Sequence, residues 1–90
     1  MVTMISWHEV SDYEKWINIM QTPESPQPEG LQTTKIFHTL DKKRVVVTQT
    51  YDTVENAENH KAFLENPENQ PMGEQVGVVF PITIWITEEA

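Results

Sequence analysis

The chain has 90 residues, with 6 lysines and arginines against 14 aspartates and glutamates, so its formal net charge at pH 7 is −8. This length is typical of one domain, and we expect residues 1–90 to form a single domain. An acidic chain repels polyanions, which argues against nucleic acid as a partner. The sequence has no cysteine, and this excludes disulfides, thiolate nucleophiles and cysteine metal ligands.

No segment of the sequence is typical of a signal peptide or a membrane span. The N-terminal residues lack a basic region followed by an apolar one. The longest apolar stretch, Val76 to Ile86, is interrupted by Gly77, Pro81 and Thr83. We therefore expect a cytoplasmic protein that does not enter a membrane.

A change of hydrophobic period predicts the first strand and the first helix. Val2 to Val10 alternates with period two, which predicts strand one. Ser11 and Glu14 match a capping box, in which the serine caps the helix and the glutamate reaches back to the Ser11 amide. The apolar residues that follow recur at helical spacing and form one stripe of helix one: Tyr13, Trp16, Ile17 and Met20.

A proline-rich connection over residues 21–30 separates this helix from two further strands. It contains three of the six prolines of the chain, which forbid a continuing helix. Leu31 to Leu40 and Arg44 to Tyr51 are rich in strand formers, and the short polar segment between them is typical of a hairpin. The basic run over residues 42–44 is typical of a solvated turn, with anion binding as the alternative.

The second helix and the last strand complete the pattern. Asp52, followed by a glutamate three residues later, predicts the start of helix two, which we expect to end at about Glu65. A further helical turn is expected within residues 67–76. Residues 77–81 are predicted to be a connection, and Ile82 to Thr87 alternates without interruption, which predicts strand four.

This order predicts a ferredoxin-like α+β fold, β-α-β-β-α-β, with a four-stranded antiparallel sheet and both helices on one face. Both faces of the sheet carry large apolar side chains if odd and even positions keep their sides across the strands. One face would present Ile5, Trp7, Phe37, Val46 and Trp85, and the other Met4, Ile36, Val47, Ile82, Ile84 and Ile86. A large exposed apolar patch indicates an interface, so we expect a homodimer that pairs through the uncovered face as a dimeric α/β barrel.

The run from His8 to Trp16 has the form H-x-V-x-D-Y-x-x-W, which resembles the N-terminal part of many small proteins of the dimeric α/β-barrel superfamily. Residues 51–57, 62–68 and 81–89 resemble the second helix and last strand of antibiotic-biosynthesis-monooxygenase-like domains. The resemblance implies this fold. It leaves several activities open, among them cofactor-free oxygenation of aromatic polyketides, dehydration and haem degradation.

The resemblance argues against haem degradation. The haem-degrading relatives use an asparagine on strand one and a tryptophan and a histidine on helix two. The comparable region of this chain offers Ser6 or His8, Phe63, and Gly73 or Glu74.

The candidate site residues are histidines, aromatic residues and their neighbours. His8 and His38 are candidate general bases, with a strand histidine bonded to backbone as the alternative. His60 is expected at the surface or in an interface. The candidate ligand-binding residues are Tyr13, Trp16, Met20, Gln49, Tyr51 and Phe63, which in the alternative interpretation only fill the core. No metal or phosphate motif is present, and we expect no metal and no cofactor.

Two functions follow as expectations. The first is binding of a lipophilic small molecule, such as an aromatic polyketide-like or fatty-acyl compound, in a cavity between the sheet and the helices, with or without cofactor-free oxygenation. The second is a noncatalytic dimerisation or regulatory domain without a small-molecule ligand.

Overall fold

A computed structural model describes residues 1–22 and 27–90 of the chain. Its strands are β1 (Val2–Val10), β2 (Leu31–His38), β3 (Arg44–Tyr51) and β4 (Val78–Glu88). Its helices are α1 (Tyr13–Met20), α2 (Val54–Glu65) and α3 (Gln70–Gln75), with a 3-10 turn at Pro67–Asn69. The predicted order is confirmed, including the helical turn expected within residues 67–76. The connection predicted over residues 21–30 lies in part, at 23–26, outside the described residues.

The strands form one antiparallel sheet in the order β2-β3-β1-β4. This is the strand order of the ferredoxin-like α+β fold, which confirms the predicted fold class. The strands β1 and β3 are central, whereas β2 and β4 form the edges. In the part of the chain that the structure describes, no helix is both long and apolar enough to cross a membrane.

The helices cover one face of the sheet and leave the other bare. Two clusters of buried side chains lie on the covered face. The first joins Val10, Val45, Val47 and Val78 to Trp16 and Ile17 of α1. The second joins Val2, Met4, Tyr51 and Ile84 to Ala57 of α2. Each helix therefore packs over a different half of the sheet.

The pairing register and the buried clusters show that odd positions of β1 face away from the helices. Ile5 pairs with Trp85 across β1 and β4, and Trp7 pairs with Val46 across β1 and β3. Phe37 of β2 pairs with Val46 in turn. These five residues define the bare face. Trp85 is 56% exposed and Phe37 is 53% exposed, so an apolar patch is open to solvent in the single chain.

Both helices begin one residue later than the sequence predicts. The Asp12 side chain, not that of Ser11, caps α1 by accepting from the Lys15 amide at 3.2 Å. The Ser11 amide donates to the Gly77 carbonyl at 2.9 Å. Its hydrogen bond is therefore made to Gly77 and not to the Glu14 carboxylate. The predicted capping box is therefore wrong.

The second cap is displaced in the same way. Thr53 caps α2 by accepting from the Asn56 amide at 3.1 Å, while Asp52 accepts from the Asn56 side-chain amide at 2.8 Å. In each case the sequence holds two adjacent residues that are able to cap. The backbone of the preceding strand decides which of them is used.

The strand β4 is longer than predicted, because residues 78–81 belong to it and do not form a connection. Its pairing with β1 shifts between Trp7 and Glu9, and Pro81 lies opposite this irregularity. A proline is tolerated there because β4 is an edge strand and the ladder of hydrogen bonds is already interrupted. In contrast, β2 ends at His38, two residues before the predicted end.

Candidate ligand-binding cavity

A cavity of about 340 Å³ lies between the covered face of the sheet and the helices. Its floor consists of Ser6, His8, Val47, Gln49, Val78, Phe80 and Ile82. Its roof consists of Trp16, Ile19, Met20, His60, Phe63, Leu64, Asn69, Met72, Gly73 and Val76. The wall is mostly apolar, and it includes no lysine, arginine, aspartate or glutamate.

Three polar side chains of the floor are buried: Ser6, His8 and Gln49 are 6%, 5% and 7% exposed. They lie on the covered face because Ser6 and His8 are even positions of β1 and Gln49 pairs with Met4. No hydrogen bond to another described residue is formed by the side chain of Ser6 or Gln49. Yet no side-chain nitrogen or oxygen of the described residues is both sealed off and without a partner. These groups are thus open to the cavity.

The ring of His8 is oriented by the backbone of its own strand. Its Nδ1 lies 2.7 Å from the Glu9 carbonyl oxygen, and its edge meets the ring of Trp16 with the centroids 5.5 Å apart. Burial lowers the pKa of His8, and the hydrogen bond to Glu9 opposes this effect. The neutral imidazole is therefore favoured, with Nε2 as the ring nitrogen that a ligand can contact.

A second histidine, His60, borders the cavity from α2. Its Nδ1 is hydrogen-bonded to the hydroxyl of Tyr51, which is fully buried. Burial raises the pKa of Tyr51 to about 12 and lowers the pKa of His60. Both groups are thus held in their neutral forms near pH 7.

The sequence predicts His60 at the surface or in an interface, and the structure adds a place on the cavity wall. The residue is half-buried and lies on the cavity wall. The sequence does contain a signal, because Ala57, His60 and Leu64 follow at the i, i+3 and i+7 spacing of one helix face. Ala57 is fully buried, so this face points to the sheet and carries His60 with it.

Several solved structures resemble this chain over nearly its whole length. A candidate antibiotic biosynthesis monooxygenase from Nitrosomonas europaea aligns with a TM-score of 0.67 at 20% identity, covering 99% of this chain and 98% of that one. A monooxygenase from Streptomyces coelicolor, solved in complex with nanaomycin D, aligns with a TM-score of 0.63 at 9% identity, covering 99% and 87%. The fold is shared.

A dimeric ferredoxin-like protein from an uncultured marine organism also aligns, with a TM-score of 0.61 at 11% identity, covering 99% of this chain and 94% of that one. No protein-family model and no curated protein sequence matches the chain. The resemblance to antibiotic-biosynthesis-monooxygenase-like domains is confirmed at the level of this ferredoxin-like fold.

The ferredoxin-like fold brings five of the eight predicted site residues to one cavity. His8, Trp16, Met20, Gln49 and Phe63 lie on its wall. Their roles in binding or catalysis stay predictions. The other three, Tyr13, His38 and Tyr51, lie outside the wall.

Tyr13 and His38 form a separate contact near the start of α1. Their ring centroids are 5.1 Å apart, and the Lys42 ammonium lies 5.4 Å from the centre of the Tyr13 ring. His38 is exposed, and its Nδ1 lies 2.7 Å from the Thr39 carbonyl oxygen. Its strand, β2, is the edge farthest from β4, so its ring does not reach the cavity. The structure thus places His38 outside this cavity, and its role in catalysis stays a prediction.

Tyr51 is displaced from the cavity for a different reason. It packs fully buried in the second cluster, and its hydroxyl is used by His60. Tyr51 therefore supports His60, a residue of the cavity wall, and does not itself line the cavity. Its role in ligand binding stays a prediction.

The roof residues of α3 were missed by sequence reasoning. Met72 and Gly73 lie on the cavity wall opposite Phe80 of β4. Gly73 allows a close approach, since a Cβ atom there would lie 2.7 Å from Cζ of Phe80. Within residues 1–22 and 27–90, no three histidine, aspartate or glutamate side chains are placed to hold a metal ion.

Proposed function

We propose that this chain binds a lipophilic small molecule with one or two oxygen atoms, such as an aromatic polyketide-like compound, in the 340 Å³ cavity. One observation carries the proposal. The apolar wall contains three buried polar side chains, Ser6, His8 and Gln49, and within the described residues the polar atoms of Ser6 and Gln49 and the Nε2 of His8 lack protein partners. Such groups are costly to bury unless a ligand or water bonds to them.

The resemblance in fold supports this proposal. The monooxygenase from Streptomyces coelicolor was solved in complex with nanaomycin D. The same fold thus accommodates a small organic molecule in another protein.

Binding is tested with 2-naphthol, an aromatic compound with one hydroxyl group, by isothermal titration calorimetry. We expect saturable binding that Gln49→Leu weakens by up to about tenfold, since a hydrogen bond contributes about 1 kcal/mol. Gln32→Leu is the matched control, because Gln32 is exposed on β2. Absence of binding, or equal losses in both variants, would contradict the proposal.

A second candidate function is oxygenation without a cofactor, and the unoccupied Nε2 of His8 favours it. This nitrogen would accept the proton of a ligand hydroxyl, and the resulting anion would reduce dioxygen. For 1-naphthol the balanced reaction consumes one dioxygen and gives 1,4-naphthoquinone and one water. Oxygen uptake with quinone formation above the buffer rate, abolished in His8→Phe, would support it. An unchanged rate in that variant would contradict it.

We also propose that two copies of the chain pair through the bare face. The five residues of this face include Trp7, Phe37 and Trp85, all exposed in the single chain. One protein of the same fold is dimeric. If the chain were only a dimerisation or regulatory domain, 2-naphthol would not bind and His8→Phe would leave the oligomeric state unchanged.

A further inference from the structure

We propose that the cavity binds its ligand in one direction, because its two histidines are held in opposite tautomers. His8 presents an acceptor, and His60 presents a donor. The ligand that fits is uncharged, with a hydroxyl group at the His8 end and a carbonyl group at the His60 end. This inference rests on the proposed function and deepens it.

The tautomer of His8 follows from its partner. A carbonyl oxygen only accepts hydrogen bonds, so the Nδ1 that lies 2.7 Å from the Glu9 carbonyl carries the proton. In a neutral imidazole the other nitrogen then has a free lone pair. His8 Nε2 is therefore an acceptor, and it pairs with a group that donates, such as a hydroxyl.

The tautomer of His60 follows from the burial of Tyr51. The Tyr51 side chain is fully buried, and within the described residues its hydroxyl has His60 Nδ1 as its hydrogen-bond partner. A buried hydroxyl proton needs an acceptor. The Tyr51 hydroxyl thus donates to Nδ1, and the proton of the neutral His60 ring lies on Nε2. This nitrogen donates to a group that accepts, such as a carbonyl.

The two histidines reach the cavity from different elements, His8 from β1 and His60 from α2. His8 pairs with Val45, whereas Tyr51, the partner of His60, pairs with Val2, six residues along β1 from His8. Both histidine rings border the same cavity. A ligand that contacts both thus meets an acceptor at one position and a donor at the other.

The charge of the site excludes an anionic ligand. The cavity wall contains no cationic residue, and burial favours the neutral forms of both histidines. The formal net charge of the chain, −8, also opposes the approach of an anion. Of the lipophilic compounds considered, fatty acid carboxylates are therefore poor ligands, whereas hydroxy ketones and their aromatic analogues fit.

The tautomers are measured directly, without a ligand, by long-range proton–nitrogen NMR of the histidine rings in the unmodified protein at pH 7.5. We expect the proton on Nδ1 of His8 and on Nε2 of His60. In Tyr51→Phe the His60 tautomer is no longer fixed, while the His8 signals stay unchanged. A proton on His8 Nε2 or on His60 Nδ1 would overturn the inference.

The ligand class is tested with four probes that share a naphthalene ring. The reference is 6-acetyl-2-naphthol, which has a hydroxyl and a carbonyl at opposite ends. Its methyl ether lacks the donor, 6-ethyl-2-naphthol lacks the carbonyl, and 6-hydroxy-2-naphthoate has a carboxylate instead. We expect each change to weaken binding by about tenfold or more, because each removes a hydrogen bond or adds an uncompensated charge.

Variants then assign each end of the ligand to one histidine. In His8→Phe the methyl ether should bind as tightly as 6-acetyl-2-naphthol, because the acceptor for the hydroxyl is gone. The compound without a carbonyl, 6-ethyl-2-naphthol, should still bind more weakly. In His60→Phe the pattern should be reversed. If 6-acetyl-2-naphthol binds but neither variant changes how much weaker the other probes bind, the inference about direction is overturned and the proposed function is not. Failure of all four probes to bind would contradict the proposed function as well.

Discussion

Gly77 is a residue at which the backbone conformation favours glycine. Its φ is +97°, and an added Cβ would lie 3.1 Å from the Asp12 carbonyl oxygen. We expect Gly77→Ala to lower the free energy of unfolding by about 1 to 3 kcal/mol, through strain in the left-handed region. Urea denaturation measures this change, and an unchanged free energy of unfolding would contradict it.

Gly73→Ala should affect the cavity more than the fold. Alanine favours a helix over glycine by about 1 kcal/mol, which offsets part of the cost of the new contact. The added Cβ lies 2.7 Å from Cζ of Phe80, so the ring must move. Because both residues border the cavity, we expect weaker binding of 2-naphthol, by about 1 kcal/mol or more from overpacking. Unchanged affinity, measured by calorimetry, would show that Phe80 moves away from the ligand.

The buried histidines should make stability depend on pH. Burial lowers the pKa values of His8 and His60 below the ordinary value of 6.5. The unfolded chain therefore binds protons that the folded chain does not, and the unfolding free energy falls as the pH drops below about 6.5. The unfolding free energy stops falling once the pH is below the pKa values of both histidines in the folded chain. Urea denaturation between pH 7.5 and 4.5 measures it, and His8→Gln should flatten the slope.

Tyr51 acts at the other end of the pH range. Its pKa is raised from 10.0 to about 12, so its contribution to stability is present below pH 10 and is lost as the pH rises through 12. Tyr51→Phe should remove this dependence. A wild-type profile that is flat between pH 10 and 12 would contradict the buried, neutral hydroxyl.

Individual site residues could be predicted from the sequence where a regular period governs them. The alternation of β1 places His8 on the covered face, and the helical stripe of α1 places Trp16 on the cavity wall. The bond between Tyr51 and His60 could not be predicted, since it depends on how far α2 lies over β3. The period of a sequence predicts which face of a strand or helix a residue lies on. The residue that it contacts there depends on how the elements pack together.

The caps of α1 provide a test at the scale of one element. Asp12 accepts from the Lys15 amide, whereas the Ser11 hydroxyl makes only a long contact of 3.5 Å to the Gly77 carbonyl. We expect Asp12→Ala to lower the free energy of unfolding by about 1 kcal/mol. Ser11→Ala is the matched neighbour, with an expected change below about 0.5 kcal/mol. If urea denaturation instead shows a larger loss of unfolding free energy in Ser11→Ala than in Asp12→Ala, the capping box predicted from the sequence is supported.

The elements themselves were predictable where the period is unbroken, as in β1, or where strand-forming residues are dense, as in β3. The prediction failed for residues 78–81 because Pro81 is usually a strand breaker. Its position on an edge strand, opposite an irregularity in the pairing with β1, removes that objection. Which strand is an edge follows from the whole topology, so a local reading of the sequence misses it.

At the scale of the molecule, the bare face of the sheet is the surface through which we propose that two copies pair. In the described residues the helices lie on one side of the sheet, and its other side exposes Trp7, Phe37 and Trp85, which lie on three of its four strands. Monomeric proteins rarely leave such a contiguous apolar patch open to water. The alternation of residues in the sequence predicted this face, because large side chains occupy odd as well as even positions of β1.

Trp85→Ala tests the proposed dimer. Trp85 is 56% exposed at the bare face, and truncating a central interface tryptophan typically costs about 2 kcal/mol, or about thirtyfold in the dissociation constant. Sedimentation at several protein concentrations should therefore show a shift toward monomer. Leu40→Ala is the matched control, because Leu40 is fully exposed but lies outside the sheet. If both variants sediment like the unmodified protein, the copies do not pair through this face.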